Sequence, residues 1–305
     1  MAYQLKEINH AVRTDPIGFM EACDAAYQAK VSAAADMVCA NRKRSPVVLL
    51  SGPSGSGKTT TAMKLRQELE HRGVGTHAIS MDDYFLGRAL KVQPRTPDGA
   101  IDYESPEMMD LKLLGEHFSK LTRGEPILVP HFEFARQMRN DSRGEMLRLG
   151  KDEIAIFEGI HALNTKLTAD HPEATRLYVS ARSNVLEGED LRFKGTWMRL
   201  TRRAVRDYNF RGTDVQGTLD MWANVRRGEK LYISPYKDSA HYKIDSSLPY
   251  EVSVMANYAK PLMAAIPEEN QRRHEMLDLI AAFDWFEPID PNTIPTESLL
   301  HEFIG

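Results

Sequence analysis

At 305 residues the chain is long enough to bury a large core without support from a metal or a disulfide. Its formal net charge of −4 gives no bulk attraction to nucleic acid or to an anionic membrane, and no stretch approaches the roughly 18 apolar residues of a membrane span. The two cysteines, Cys23 and Cys39, lack metal-ligand or CxxC spacing and point to a reducing compartment. With no signal-peptide pattern at the N-terminus, the expectation is a cytoplasmic protein that binds neither membrane nor nucleic acid.

Residues 1–14 are polar and suggest no element. Asp15-Pro16 is an N-cap followed by proline at the first helical position. Phe19, Cys23, Ala26, Tyr27, Val31, Ala34 and Val38 then recur at helical spacing up to the basic stop Arg42-Lys43-Arg44-Ser45-Pro46. That stripe reads as a face packed on the core. Residues 47–50 are a short apolar, partly β-branched run, the mark of a buried strand. Gly52-Pro53-Ser54-Gly55-Ser56-Gly57-Lys58-Thr59 fits G-x-x-x-x-G-K-[ST], and a helix is expected from Thr60 to the cation-then-glycine ending His71-Arg72-Gly73. Strand, glycine loop and helix in that order make a phosphate site. Gly52, Ser54, Gly55, Ser56, Gly57 and Thr60 would close around phosphate oxygens at a helix N-terminus, Lys58 would reach the β- and γ-phosphates, and the Thr59 hydroxyl would ligate Mg²⁺. The sequence predicts a nucleoside triphosphate site.

A second strand over 76–80 delivers Met81-Asp82-Asp83-Tyr84-Phe85 to the same edge of the sheet. Residues 91–103, with two prolines and a glycine, read as a loop over the site. An amphipathic helix is expected over 108–121, closed by Arg123-Gly124. Residues 127–134 alternate like a strand, with the polar stretch to Gly150 as its hairpin return. Further strands over 154–157, ending in Glu158-Gly159, and 177–179 precede an arginine-dense helix over 197–208 that runs into Asn209-Phe210-Arg211-Gly212. A last strand over 242–246, helices over 250–265 and 269–283, and a proline-marked helical end complete the chain. Strands alternating with helices after such a loop predict an α/β protein of the P-loop NTPase fold, a mostly parallel, doubly wound sheet with flanking helices. The expected divisions are an N-terminal helical extension (1–45), a kinase domain (46–266) and a C-terminal helical tail (267–305).

Phosphoryl transfer needs Mg²⁺, cationic groups on the migrating phosphate and a base for the attacking oxygen. Asp82 and Glu158 each follow an apolar strand, so both carboxylates should converge near Thr59. Asp82 is the better base, because Tyr84, Phe85 and a long loop follow it as an acceptor pocket. Glu158 is the better metal ligand, and Asp83 is expected to point the other way. Arg199, Arg202, Arg203 and Arg206, at spacings of three and four, fall largely on one helical face. Such a face is costly unless an anion neutralises it, and with Arg211 it reads as a lid that closes over triphosphate.

These residues carry a resemblance. Ile79-Ser80-Met81-Asp82-Asp83-Tyr84-Phe85 is similar to the strand-end aspartate motif of the uridine kinase and phosphoribulokinase family, and Tyr103-Glu104-Ser105-Pro106 resembles its acceptor motif. Val129-Pro130-His131-Phe132-Glu133-Phe134 resembles the strand entering its hairpin, Phe157-Glu158-Gly159-Ile160 its metal-site Glu-Gly, and residues 202–212 its lid. The likeness spans roughly residues 46–263. It implies ATP- or GTP-dependent phosphorylation of a small-molecule hydroxyl, in uridine kinases the 5′-hydroxyl of uridine or cytidine, with a hairpin acceptor region and an arginine-rich lid. By position, Asp82 is the catalytic base and a metal ligand, Thr59 and Glu158 attend Mg²⁺, and Arg203, Arg206 and Arg211 serve the nucleotide or the acceptor. Tyr84 and Glu104 join them at the acceptor. Two departures stand out. Phe132 and Gln137 occupy the places of the tyrosine and histidine that read the pyrimidine, and Thr213 replaces a further arginine, with Arg226 or Arg227 as substitutes. The acceptor therefore stays open between a nucleoside, a sugar phosphate supported by Arg95, Arg136 and Arg139, and a pantothenate-like molecule. A nucleotide-gated regulator with weak transfer remains the alternative class. The segments outside the likeness are candidate homo-oligomer or partner surfaces.

Overall fold

The structure, a computed structural model, describes residues 2–133 and 136–305. The five apolar runs of the sequence are the five strands of one sheet: β1 (Val47–Ser51), β2 (Gly75–Ser80), β3 (Glu153–Glu158), β4 (Thr175–Ser180) and β5 (Tyr242–Asp245), all parallel, in the order β5-β4-β1-β3-β2. β1 is buried on both faces along its whole length, which explains an uninterrupted apolar run rather than an alternating one. Val48 and Leu50 pack into the larger core on one side of the sheet, and Val47 and Leu49 into the smaller core on the other. The chain leaves β1 toward β3 and β2 and returns past it to β4 and β5. β1 is thus the switch point, and the crevice outside its carboxyl end is where such sheets bind ligands.

The helix after the glycine loop is Lys58–His71, with Ala62, Leu65 and Leu69 inward. Pro16–Asn41 forms the expected long helix, started by the Asp15 carboxylate accepting from Gly18 N at 3.0 Å. Its stripe of Met20, Tyr27, Val31, Ala34 and Val38 lies in the larger core, as do Met276, Leu279, Phe283, Leu299, Leu300 and Phe303 from beyond residue 267. Both end segments therefore share the core of the central sheet.

Several elements differ from expectation. Residues 1–14 suggested nothing, yet Ala2–Gln4 is a strand beside Asn184–Glu187, and Leu5–Thr14 a helix burying Leu5, Ile8 and Val12. The Asn184–Glu187 and Asp190–Phe193 hairpin, turned at Gly188, was also unread. The helix expected over 108–121 is Leu111–Thr122, because the Asp110 carboxylate takes Leu113 N at 3.0 Å and starts it there. The alternating run from 127 breaks at Pro130, which has no N–H to give a ladder. Ile127–Val129 pairs with Glu145–Leu147, and Phe132–Glu133 with Met138–Arg139. Phe134, the end of the expected strand, lies outside the described residues. Among the described residues no helix is long and apolar enough to cross a membrane.

Candidate active site

The glycine loop joins β1 to its helix, and its outer rim is anchored by side chains. The carbonyls of Ser54, Gly55 and Ser56 accept from Arg199 Nε (3.0 Å), Arg202 Nη1 (3.3 Å) and Ser246 Oγ (2.6 Å) in turn. Across a trans peptide a carbonyl and the next N–H point in opposite directions, so tethering the Ser54 and Ser56 carbonyls outward turns the Gly55 and Gly57 amides inward. Gly57, at φ +78°, caps the helix in a left-handed conformation costly for other residues, and any Cβ there would meet Leu299 at 2.8 Å. Gly52 is required for a different reason: a Cβ would lie 2.2 Å from the Val179 carbonyl oxygen.

Inward of the loop lies a cavity of about 320 Å³. At one end it is lined by Ser54, Gly55, Gly57, Lys58 and Thr59, with Asp82, Glu158 and Glu302 beside them. Arg203, Arg206 and Arg211 line it from the helix Gly195–Arg211, and Phe85, Gln93, Tyr103, Glu104, Phe132 and Gln137 line it too. Most of the residues singled out from sequence thus meet in one space. Three loop residues do not line it. Gly52 serves the close approach to β4, Ser56 is fully buried with its amide on the Pro53 carbonyl, and Thr60 is engaged by Glu302.

Tyr84 is a correction. It was expected at the acceptor but is fully buried, with its hydroxyl 2.9 Å from His117 Nδ1 and its ring edge-on to Phe157. The reason is the 3₁₀ turn Met81–Tyr84, in which residues three apart eclipse. Met81 and Tyr84 both go into the core, while Asp82 stays on the cavity side and Phe85 takes the acceptor position. Asp83 points away, as anticipated: its Oδ1 accepts from Phe132 N at 3.0 Å and ties the hairpin to the strand end.

The arginine helix, Gly195–Arg211, is also a correction. Its four central arginines do not form one lid face. Arg199 is buried and bonded to Glu229 at 2.9 Å, and Arg202 is fully buried in a two-pronged pair with Glu251. The cavity-facing set is Arg203, Arg206 and Arg211, all gathered on Asp207, at 3.2, 2.7 and 3.6 Å. Three guanidiniums on one carboxylate leave surplus positive charge. Burial, and then the neighbouring Arg206 charge, pull the Arg211 guanidinium below its ordinary value. The substitutes for the arginine missing at Thr213 are engaged elsewhere, Arg227 on Asp102 at 2.8 Å and Arg226 on Glu229.

Thr59 Oγ1 and Glu158 Oε1 lie 3.3 Å apart. Burial pushes the Glu158 carboxyl up to about 7 against the pull of Lys58, and it pushes Asp82 up as well. A hydroxyl and two desolvated carboxylates are hard oxygen donors short of positive charge. They suit Mg²⁺, which keeps several waters and completes its shell on phosphate oxygens. Among the described residues no group of three or more His, Cys, Asp or Glu is placed to hold a metal. Glu104 packs on Gly228, where a Cβ would sit 2.2 Å from its own, and burial raises its carboxyl to about 7. Below it, Asp102 accepts from Arg227 and from the Tyr232 hydroxyl at 3.0 Å, anchoring the acceptor loop to the helix Val215–Gly228. Sequence reasoning missed Asp102 and Glu302. Both owe their place to partners more than a hundred residues away.

A glycine loop at the switch point of a five-stranded parallel sheet, with a lysine, a strand-end aspartate and a cationic lid around one cavity, defines a P-loop kinase. The profile of the Phosphoribulokinase / Uridine kinase family matches residues 47–253, and the chain belongs to that family. It is a phosphotransferase that acts on an alcohol group of a small molecule. The uridine kinase of Halobacterium salinarum is 26% identical over 192 residues, covering 63% of this chain and 76% of that one. The uridine kinase of Staphylococcus haemolyticus is 26% identical over 196 residues, covering 64% and 84%. Among solved structures, a putative fructose transport system kinase from Silicibacter sp. TM1040 superposes with a TM-score of 0.52 at 20% identity, over 70% of this chain and 98% of that one, a likeness of fold alone.

Proposed function

We propose that this kinase transfers the γ-phosphoryl group of ATP to the 5′-hydroxyl of a nucleoside. The observation that carries this reading is the acceptor end of the cavity. Phe85 and Phe132 form an aromatic pair there, with ring centroids 5.9 Å apart, and Gln93 and Gln137 line the same cavity. A flat ring offers a stacking surface to a base, and amides offer donors and acceptors to its edge. Gln137, the only described non-glycine residue at positive φ (51°), holds its place through its carbonyl, which accepts from Arg88 N at 3.0 Å. Strained backbone of this kind clusters where a ligand is bound. Glu104 accepts from ribose hydroxyls. The cations that a phosphorylated acceptor would need are engaged away from the cavity: Arg139 on Asp110, Arg136 on Glu133 and Arg95 on the Gly99 carbonyl.

In the reaction, Asp82 takes the proton of the attacking hydroxyl as the new O–P bond forms, and ADP departs with the electrons of the broken bond. Lys58, Arg203, Arg206 and Arg211 hold the transferring group and the charge that develops on it. Thr59, Glu158 and Asp82 would hold Mg²⁺, which would neutralise charge on the donor phosphates.

The test is coupled ADP release with MgATP across a panel of nucleosides, pentoses, pentose phosphates and pantothenate, with Asp82→Asn as the blank. Uridine or cytidine standing above the panel is the expected result. Another winning acceptor removes the nucleoside assignment, and no rate above the blank favours a regulator.

A further inference from the structure

Thr60 lies in the first turn of the helix behind the glycine loop, where unpaired amides await an anion. Its amide is already taken. The Glu302 carboxylate accepts from Thr60 N at 3.1 Å and from Thr60 Oγ1 at 2.6 Å, and Glu302 lines the cavity with Lys58 and Thr59. The short C-terminal helix that brings it, His301–Ile304, is firmly seated. Leu299 and Phe303 are fully buried, Leu299 lies against the Gly57 α-carbon, and the Asn209 amide donates to the Phe303 carbonyl at 3.2 Å. The Phe303 ring stands 5.1 Å from the guanidinium of Arg202, which is itself bonded to the Gly55 carbonyl.

A carboxylate on an amide and a hydroxyl in the first turn of the loop helix presents what a donor phosphate presents there, an anion on free donors. We propose that residues 299–304 are a built-in occupant of the donor site. Glu302 stands in for a phosphate, so the donor nucleotide binds in competition with this segment. The proposal rests on the reading that donor phosphates bind the loop 52–60. A phosphate and the Glu302 carboxylate would share one pair of donors as like charges, so one must leave for the other to bind. In the ligand-free protein the segment supplies an anion to a site rich in cations. In the working enzyme its displacement becomes part of donor binding.

The experiment is calorimetric titration of the full chain with MgADP, for the wild type, Glu302→Gln and Lys58→Ala, together with amide hydrogen exchange with and without MgADP. Glu302→Gln keeps the shape and removes the charge, and is expected to tighten ADP binding about tenfold. Exchange of the 299–304 amides in the wild type is expected to speed up at saturating MgADP. Unchanged or weakened ADP affinity in the glutamine variant, or exchange that does not speed up, overturns the proposal. If that variant fails to fold, wild-type exchange decides alone. ADP binding that survives Lys58→Ala overturns the loop reading, and the proposal with it. Loss of binding in Lys58→Ala with no effect of Glu302→Gln overturns the proposal alone.

Discussion

The two sides of the helix Gly195–Arg211 carry the same residue type to opposite ends. On one side Arg199 and Arg202 are buried on the carboxylates Glu229 and Glu251, and each also donates to a loop carbonyl. On the other, Arg203, Arg206 and Arg211 share Asp207 and face the cavity with charge to spare. The first set holds the glycine loop, and the second is the set proposed above to hold the transferring phosphate. What separates them is burial and the partners that other elements bring, Glu229 and Glu251 for the first set, not their spacing along the helix.

That distinction can be broken directly. Arg202→Ala strands Glu251 as an unpaired buried charge and should cost about 3–5 kcal/mol in denaturant unfolding, whereas an apolar exchange of both partners should recover much of it. An alanine variant as stable as the wild type would dissolve the contrast. Arg206→Ala should do the reverse, lowering kcat by about a thousandfold with a melting temperature close to that of the wild type. Asp82→Asn sharpens the cavity side further: turnover should fall about a hundredfold or more while MgADP still binds by calorimetry, and near-normal turnover would remove Asp82 from the role of base.

The smallest effect concerns Glu104, whose carboxyl burial lifts from 4.5 to about 7. Across that window the native state keeps a proton that the unfolded chain releases, so the stability of the ligand-free protein falls as pH rises. Glu104→Gln should flatten that slope in melting curves from about pH 5 to about pH 8.

The donor half of the site was legible because its chemistry is contiguous. One run of residues supplies strand, loop, lysine and helix, and Asp82 and Glu158 are each announced by the apolar strand before them. Where reading failed, the cause was local geometry or distance. Tyr84 was misplaced because a 3₁₀ turn, not a continued strand, sets its direction. Arg199 and Arg202 were misread because nearly every side of their helix is buried, and the carboxylates Glu229 and Glu251 come from other elements. The strand Ala2–Gln4 and the Glu302 contact rest on partners 182 and 242 residues away, and no local pattern encodes either.

The hairpin that carries Phe132 and Gln137 has two short ladders of its own, separate from the parallel sheet. It is stapled to the sheet side by Asp83 and Asp110, through Phe132 N and Arg139. The proposed recognition residues thus sit on a hairpin separate from the sheet that carries the glycine loop. Transplanting residues 130–140 from a relative, with Asp83 and Asp110 left untouched, should exchange one acceptor for another without rebuilding the catalyst. The same partition gives natural variation a route to new substrates that leaves the phosphate-handling parts unaltered.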